Sequence, residues 1–185
     1  MITRSVAVTS DVLLRPVAED DAAALLRAYL RNREHLRRWD PRRDEDFFTP
    51  AGQEARLREQ VEQREAGRTA PFVLAHGDEI VGAVTLSNVV RGPLQSANLG
   101  YWIDLGHVGR GLASAAVTLV CRAADQQLGL HRLEAGAATD NPGSQRVLAK
   151  SGFERIGTAP RLLLIDGEWR DHVLFQKILN DRRPA

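Results

Sequence analysis

The chain has 185 residues, 43% of them hydrophobic and 26% charged, which fits one folded domain with a real core and excludes a disordered chain. Lys plus Arg is 25 against 24 Asp plus Glu, and this net charge of +1 argues against nucleic acid, since duplex binding draws on a concentrated positive field. No apolar run approaches the roughly 20 residues that span a bilayer, and a single cysteine, Cys121, makes neither an internal disulfide nor a Cys-based metal site.

The N-terminal "MITRSVAVTSDVLLRP" lacks the apolar core of a signal peptide and reads as uncleaved, so a cytoplasmic protein without membrane or metal is expected. "VLLRPV" (Val12–Val17) is strand-like, with Pro16 near an edge or strand end. In "EDDAAALLRAYLRNREHLRRW" (Glu19–Trp39), apolar Ala24, Leu25, Ala28, Tyr29 and Leu36 have helical spacing, and Asp20 or Asp21 serves as cap. Seven arginines between Arg27 and Arg43 suggest a nucleic-acid patch, but Glu34, Asp40, Asp44, Glu45 and Asp46 counter them, as on a solvated helix face. "DPRRDEDFFTP" is a polar loop, and "AGQEARLREQVEQREAGR" is a second amphipathic helix ending at Gly67.

From Pro71 the period changes. "PFVLAHGDEIVGAVTL" reads as two strands joined at "HGDE". After a loop with Gly92 and Pro93, "SANLGYWID" alternates, with Leu99, Tyr101 and Ile103 on one face and Asn98 and Trp102 on the other. The helix Gly111–Leu128 carries one apolar stripe through Ala113, Ala116, Val117, Val120, Cys121, Ala124 and Leu128, so Cys121 reads as core. "HRLEAGAAT" is a strand. "DNPGSQRVLAKSG" is a short helix capped by Asn141, with Pro142 at its first position and Gly152 as stop. "RLLLIDGEWRDHVLFQKIL" is a hairpin about Asp166-Gly167. The order describes a single mixed α/β (α+β) domain over residues 1–185.

"GHVGRGLASAAV" opens that long helix with three glycines in six positions, which leaves backbone N–H groups free to meet a phosphate. A nucleoside-triphosphate loop fails because Leu112 and Ala113 stand where Lys and Ser/Thr belong. A dinucleotide fingerprint fails at Ser114. An Arg/Gln-x-x-Gly-x-Gly/Ala loop is met at Gly111 and Ala113; the alternative is a tight strand-to-helix turn.

"LGYWID", "VGRGLASAAV", "GLHRLEA", "NPGSQRVLAKSGF" and "DGEWRDHVLF", in this order and spacing, resemble the GNAT superfamily of acetyl-CoA-dependent N-acetyltransferases, nearest its ribosomal-protein N-terminal (Rim-type) branch. The resemblance spans nearly the whole chain. It implies a central, mostly antiparallel sheet with helices on both faces and a V-shaped splay at a bulge between the strands near 97–104 and 131–139. The pantetheine arm of acetyl-CoA would pair with backbone of Trp102 and Ile103. The pyrophosphate would sit on Val108, Gly109, Arg110, Gly111, Leu112, Ala113 and Ser114. Asn141 would touch the pantetheine, unless it is a helix cap alone, and Ser144 would reach the coenzyme sulfur and donate to the departing thiolate.

Three departures stand out. Val108 replaces the first Arg/Gln of the loop, Leu148 stands where many members carry a tyrosine acid, and Asn98 stands where near relatives have glutamate. An amide takes no proton, which suits an α-amine (pKa around 8) better than a lysine; Glu134 could relay a proton through water or simply lie on the strand surface. Trp39, with Asp40 or Asp44–Asp46, would wall the acceptor site opposite Asn98 and Tyr101, unless Trp39 plugs the core. The expected activity is acetyl transfer from acetyl-CoA to a protein or peptide N-terminus by direct attack in a ternary complex, by a monomer or homodimer. The alternatives are a small-amine acetyltransferase and a non-catalytic acyl-CoA-binding module.

Overall fold

The computed structural model describes residues 5–183 and holds one eight-stranded sheet. Its strands are β1 (Val6–Ala7), β2 (Leu13–Pro16), β3 (Ala70–His76), β4 (Glu79–Val90), β5 (Ser96–Ile103), β6 (Arg132–Ala138), β7 (Glu154–Ile165) and β8 (Glu168–Ile178). The spatial order is β1-β2-β3-β4-β5-β6-β8-β7, antiparallel throughout except for the parallel pair β5–β6. A parallel pair needs a crossover, and α4 (Leu112–Gln126) supplies it.

Helices cover both faces, as expected. On one side α1 (Ala22–Arg31), α2 (Arg33–Arg37) and α3 (Pro50–Glu65) bury Leu25, Ala28, Tyr29, Leu36 and Leu57 against Val73 and Ile80 of the sheet. On the other, α4 and α5 (Pro142–Lys150) bury Ala116, Val117, Val120, Cys121 and Leu148 against Leu99, Leu133 and Phe175. Period-2 alternation divides each strand between these layers, so Phe72 and Leu74 join one while Val73 joins the other. Gly82 permits a close approach: a Cβ there would lie 2.7 Å from the Trp102 carbonyl oxygen on β5.

The expected single helix over 19–39 is broken at Asn32, whose backbone (φ −104°, ψ 9°) leaves the helix. The buried Asn32 amide donates to the Ala28 carbonyl at 2.9 Å and to Asp104 at 2.7 Å, so a tertiary contact outweighs helical continuity. Asp21 holds the N-cap position of α1, but its side chain does not bond the N–H groups of that helix. Its carboxylate turns back to the Ala18 N–H at 2.8 Å and to Arg15 at 2.5 and 2.7 Å. The true cap of α3 is Thr49, whose hydroxyl accepts from the Gly52 N–H at 3.0 Å. β7 begins at Glu154, ahead of the expected Arg161, with a register irregularity between Ala159 and Leu163. The Asp166-Gly167 turn appears as read, both residues having positive φ (50° and 83°).

Candidate active site

The cleft arises where pairing stops. β5 and β6 share only the register Ser96↔Arg132, Ala97↔Leu133 and Asn98↔Glu134. Among the described residues, the edge of β5 that faces β6 has no strand partner beyond Asn98, and neither has the facing edge from Ala135 onward. A strand edge that keeps unpaired N–H and C=O groups is ready to take an extended ligand as an extra strand. The associated bulge lies one strand away from the splayed pair: β4 shifts register between Ser87 and Val90, with Asn88 at φ 50°. Side chains of Leu99, Tyr101 and Ile103 pack with the α4 and α5 layer, while Trp102 packs with the α1 and α3 layer.

Directly after β5 comes Asp104, which is 4% exposed. Its carboxylate accepts from Arg31 Nε and Asn32 Nδ2, both at 2.7 Å, and from the Gly106 N–H at 2.8 Å. Asn32 Oδ1 in turn accepts the Leu105 N–H at 2.8 Å. Burial alone would raise the Asp104 pKa; the hydrogen bonds from Asn32, Arg31 and Gly106 prevail and hold it at about 2. This buried knot fixes where the glycine loop leaves the sheet. Gly109 and Gly111 then take φ 80° and 78°, a conformation other residues adopt only with strain, and Gly111 is the N-cap of α4.

The N–H groups of Gly111, Leu112, Ala113 and Ser114 donate to no other described residue. They open a 15-residue helix whose dipole adds positive potential at that end. The Leu112 side chain is buried in the core, so only its amide is offered. Arg110 flanks the loop and donates to Asp11 at 3.1 Å. Val108, half exposed, supplies no polar side chain.

Across the cleft, Asn141 caps α5 by accepting the Ser144 N–H at 2.9 Å, so its Oδ1 is used structurally and its amide NH2 remains for a ligand. Ser144 Oγ lies 2.8 Å from the Tyr101 hydroxyl, which also donates to the Ser144 carbonyl at 3.1 Å. Burial pushes the Tyr101 pKa up to about 12, although Ser144 pulls the other way. Asn98 and Tyr101, both expected at the acceptor site, are separated: residues three apart on a strand face opposite sides, and the Tyr101 hydroxyl bonds Ser144. Leu148, fully buried, fills the place of a tyrosine acid with core. Burial also pushes the Cys121 thiol up to about 11, leaving it a core residue rather than a nucleophile.

On the α1 and α3 face two cavities adjoin. The inner one, about 310 Å³, is lined by Gly100, Tyr101 and Trp102 of β5 and by Leu25, Val73 and Arg56. The outer one, about 620 Å³, lies among Arg33, Arg37, Phe47 and Phe48 beneath the hairpin tip Asp166-Gly167. Tyr29, Asp40 and Arg43 line both. The Tyr29 ring packs tilted against Trp102 (centroids 5.2 Å) and edge-on against Phe47 (4.8 Å), and its phenol oxygen accepts from Arg56 at 3.3 Å.

Trp39 lines neither cavity. The turn after α2, where the Trp39 and Asp40 N–H groups both donate to the Leu36 carbonyl at 2.9 Å, sends Asp40 into the cavities and leaves the partly buried Trp39 under Arg38. Asn98 is exposed at the apex of the splay, beside Glu134, which pairs with Arg132 and lines neither cavity. Sequence reasoning placed Tyr29 only in an apolar stripe; its hydroxyl on that stripe was the available sign of a polar cavity wall.

A family model described as Acetyltransferase (GNAT) domain matches residues 11–154. The ribosomal protein uS5-alanine N-acetyltransferase of Escherichia coli K12 is 40% identical over 179 residues, covering 96% of this chain and 92% of its own. The crystal structure of the ribosomal-protein-S5-alanine acetyltransferase from Vibrio fischeri superposes with a TM-score of 0.94 at 33% identity, covering 98% of this chain and 100% of that one. Mycobacterium smegmatis RimJ, solved in complex with CoA-disulfide, gives a TM-score of 0.86 at 36% identity over 90% of this chain and 81% of its own.

Proposed function

Since the chain belongs to the GNAT acetyltransferase family and is an acetyl-CoA-dependent N-acetyltransferase, we propose that its acceptor is the N-terminal α-amine of a protein, of the kind its relatives modify on ribosomal protein S5. The observation that carries this reading is the 40% identity with the uS5-alanine enzyme over nearly the whole of both chains. The two adjoining cavities, about 310 and 620 Å³, support it, because together they offer more room than a free amino acid fills.

Acetyl-CoA enters from the α4 and α5 face. Its pyrophosphate rests on the Gly111–Ser114 amides, flanked by Val108, Gly109 and Arg110, and its pantetheine arm runs along the open edge of β5 at Trp102 and Ile103 beside Asn141. The amine arrives from the opposite face through the cavities and attacks the thioester carbonyl directly. As the C–S bond breaks, charge collects on sulfur, where the Ser144 hydroxyl, held by Tyr101, donates to the thiolate.

Transfer of labelled acetyl from acetyl-CoA to three acceptor sets tests the reading: peptides with free N-terminal Ala or Ser, the same peptides N-blocked but carrying lysine, and small amines. Label on free N-terminal peptides alone is the expected result. Label on small amines alone, or no transfer with intact CoA binding, overturns the acceptor assignment.

A further inference from the structure

Resting on that α-amine reading, we propose that Asp40 receives the acceptor's ammonium group and takes its proton, in place of the carboxylate that position 98 lacks. A chain entering N-terminus first passes from the outer cavity to the inner one, and Asp40, Tyr29 and Arg43 are the residues at which the two meet. Of the other carboxylates of the outer chamber, Glu45 pairs with Arg33 and Asp166 with Arg37 at 2.8 Å, while Glu34, 4.0 Å from Arg37, is largely exposed and does not line the inner cavity. Asp40 is left with one loose partner, Arg43 at 3.8 Å, and no described residue donates a hydrogen bond to its carboxylate. Arg56 faces it from α3 but already donates to Tyr29 and Gln53.

About a third of the Asp40 side chain (35%) stays open to solvent, while dense packing around the rest raises its carboxyl above the ordinary range. Burial is the dominant cause, opposed by Arg43 and Arg56. A carboxylate with raised pKa is a better match to a neutral-pH proton acceptor than an exposed one. Glu134 competes poorly for the role, being paired to Arg132 outside both chambers.

The step balances. One ammonium proton passes to an Asp40 carboxylate oxygen, and the freed lone pair forms the C–N bond while the C–S bond breaks. The second nitrogen proton leaves to solvent as the amide forms, the thiolate is protonated to the coenzyme thiol, and Asp40 returns its proton to solvent.

The test compares wild type, Asp40→Asn and Asp40→Glu on an N-terminal alanine peptide between pH 5 and 9. Asp40→Asn lowers peptide kcat/KM by about 10²–10⁴-fold at pH 7 while the acetyl-CoA KM stays within about twofold. The deficit narrows as pH passes the α-amine value of about 8, since the amine then arrives neutral. Asp40→Glu restores part of the rate. Asn removes a charge whose burial the fold disfavours, so the melting temperature holds. A variant with the wild-type pH profile, or a loss equal at all pH values and shared by acetyl-CoA, overturns the assignment. If wild type transfers only to small amines, the α-amine reading fails, and the same comparison on the best small amine still decides whether Asp40 takes the proton.

Discussion

The hydroxyls of Tyr101 and Ser144 lie 2.8 Å apart and join β5 to the first turn of α5 across the mouth of the cleft. With its pKa near 12, Tyr101 keeps its proton throughout the working range, so it holds Ser144 as a neutral partner rather than titrating.

Ser144→Ala is expected to lower kcat by about 10 to 10³-fold with little change in acetyl-CoA affinity, the range for losing a proton donor or thiolate-stabilising bond. Tyr101→Phe gives a smaller fall, and the double variant is no worse than Ser144→Ala if the pair acts as a unit. Steady-state kinetics and calorimetric CoA titration check both. Lost affinity at unchanged kcat would leave Ser144 a binding or capping residue.

Gly111 stands at φ 78° with open space where a Cβ would project. Gly111→Val therefore meets no clash within the protein, but it strains the backbone by roughly 1–2 kcal/mol and puts a branched side chain over the free amides. CoA binding is expected to be abolished while circular dichroism shows the fold retained. Undiminished CoA affinity removes the phosphate assignment from this loop.

Asp104 has a depressed pKa, so its ionised form contributes stability that is complete above the unfolded value near 4 and is lost as pH falls through about 2. Asp104→Asn should cost on the order of 2 kcal/mol at pH 7 and much less near pH 2. Urea unfolding at the two pH values measures the gap. An equal loss at both would mean that packing, not charge, accounts for the residue.

Trp39→Ala is expected to change the acceptor KM by no more than about twofold, the scale of a substitution away from contacts that matter. A rise in acceptor KM alone, with the melting temperature unchanged, would return Trp39 to the acceptor wall.

The strands and long helices were legible because their signals are local: alternation in "SANLGYWID", the Asp-Gly turn, and the Asn141-Pro142 cap. The glycine turn ahead of α4 was legible because glycine at positive φ is required by backbone geometry. What escaped depends on distant partners. Asn32 breaks a helix for the sake of Asp104, 72 residues away, and nothing in "RNREHL" announces that. Asp40 and Trp39 are adjacent, and which of them enters the cavity is decided by one turn after α2. Pattern alone could name both and not choose.

The insertion of β8 between β6 and β7 has a consequence for synthesis. On the β5 side β6 pairs through three residues only, so its main partner is β8, the last strand among the described residues, ending at Ile178. A nascent protein can pair β2 through β5 early, but the far wall of the cleft stays without its neighbour until β8 has been made. Long-range pairing of this kind is slow to form and exposes strand edges meanwhile. C-terminal truncations that stop before β8 should consequently leave an aggregation-prone half-sheet rather than a weakened enzyme.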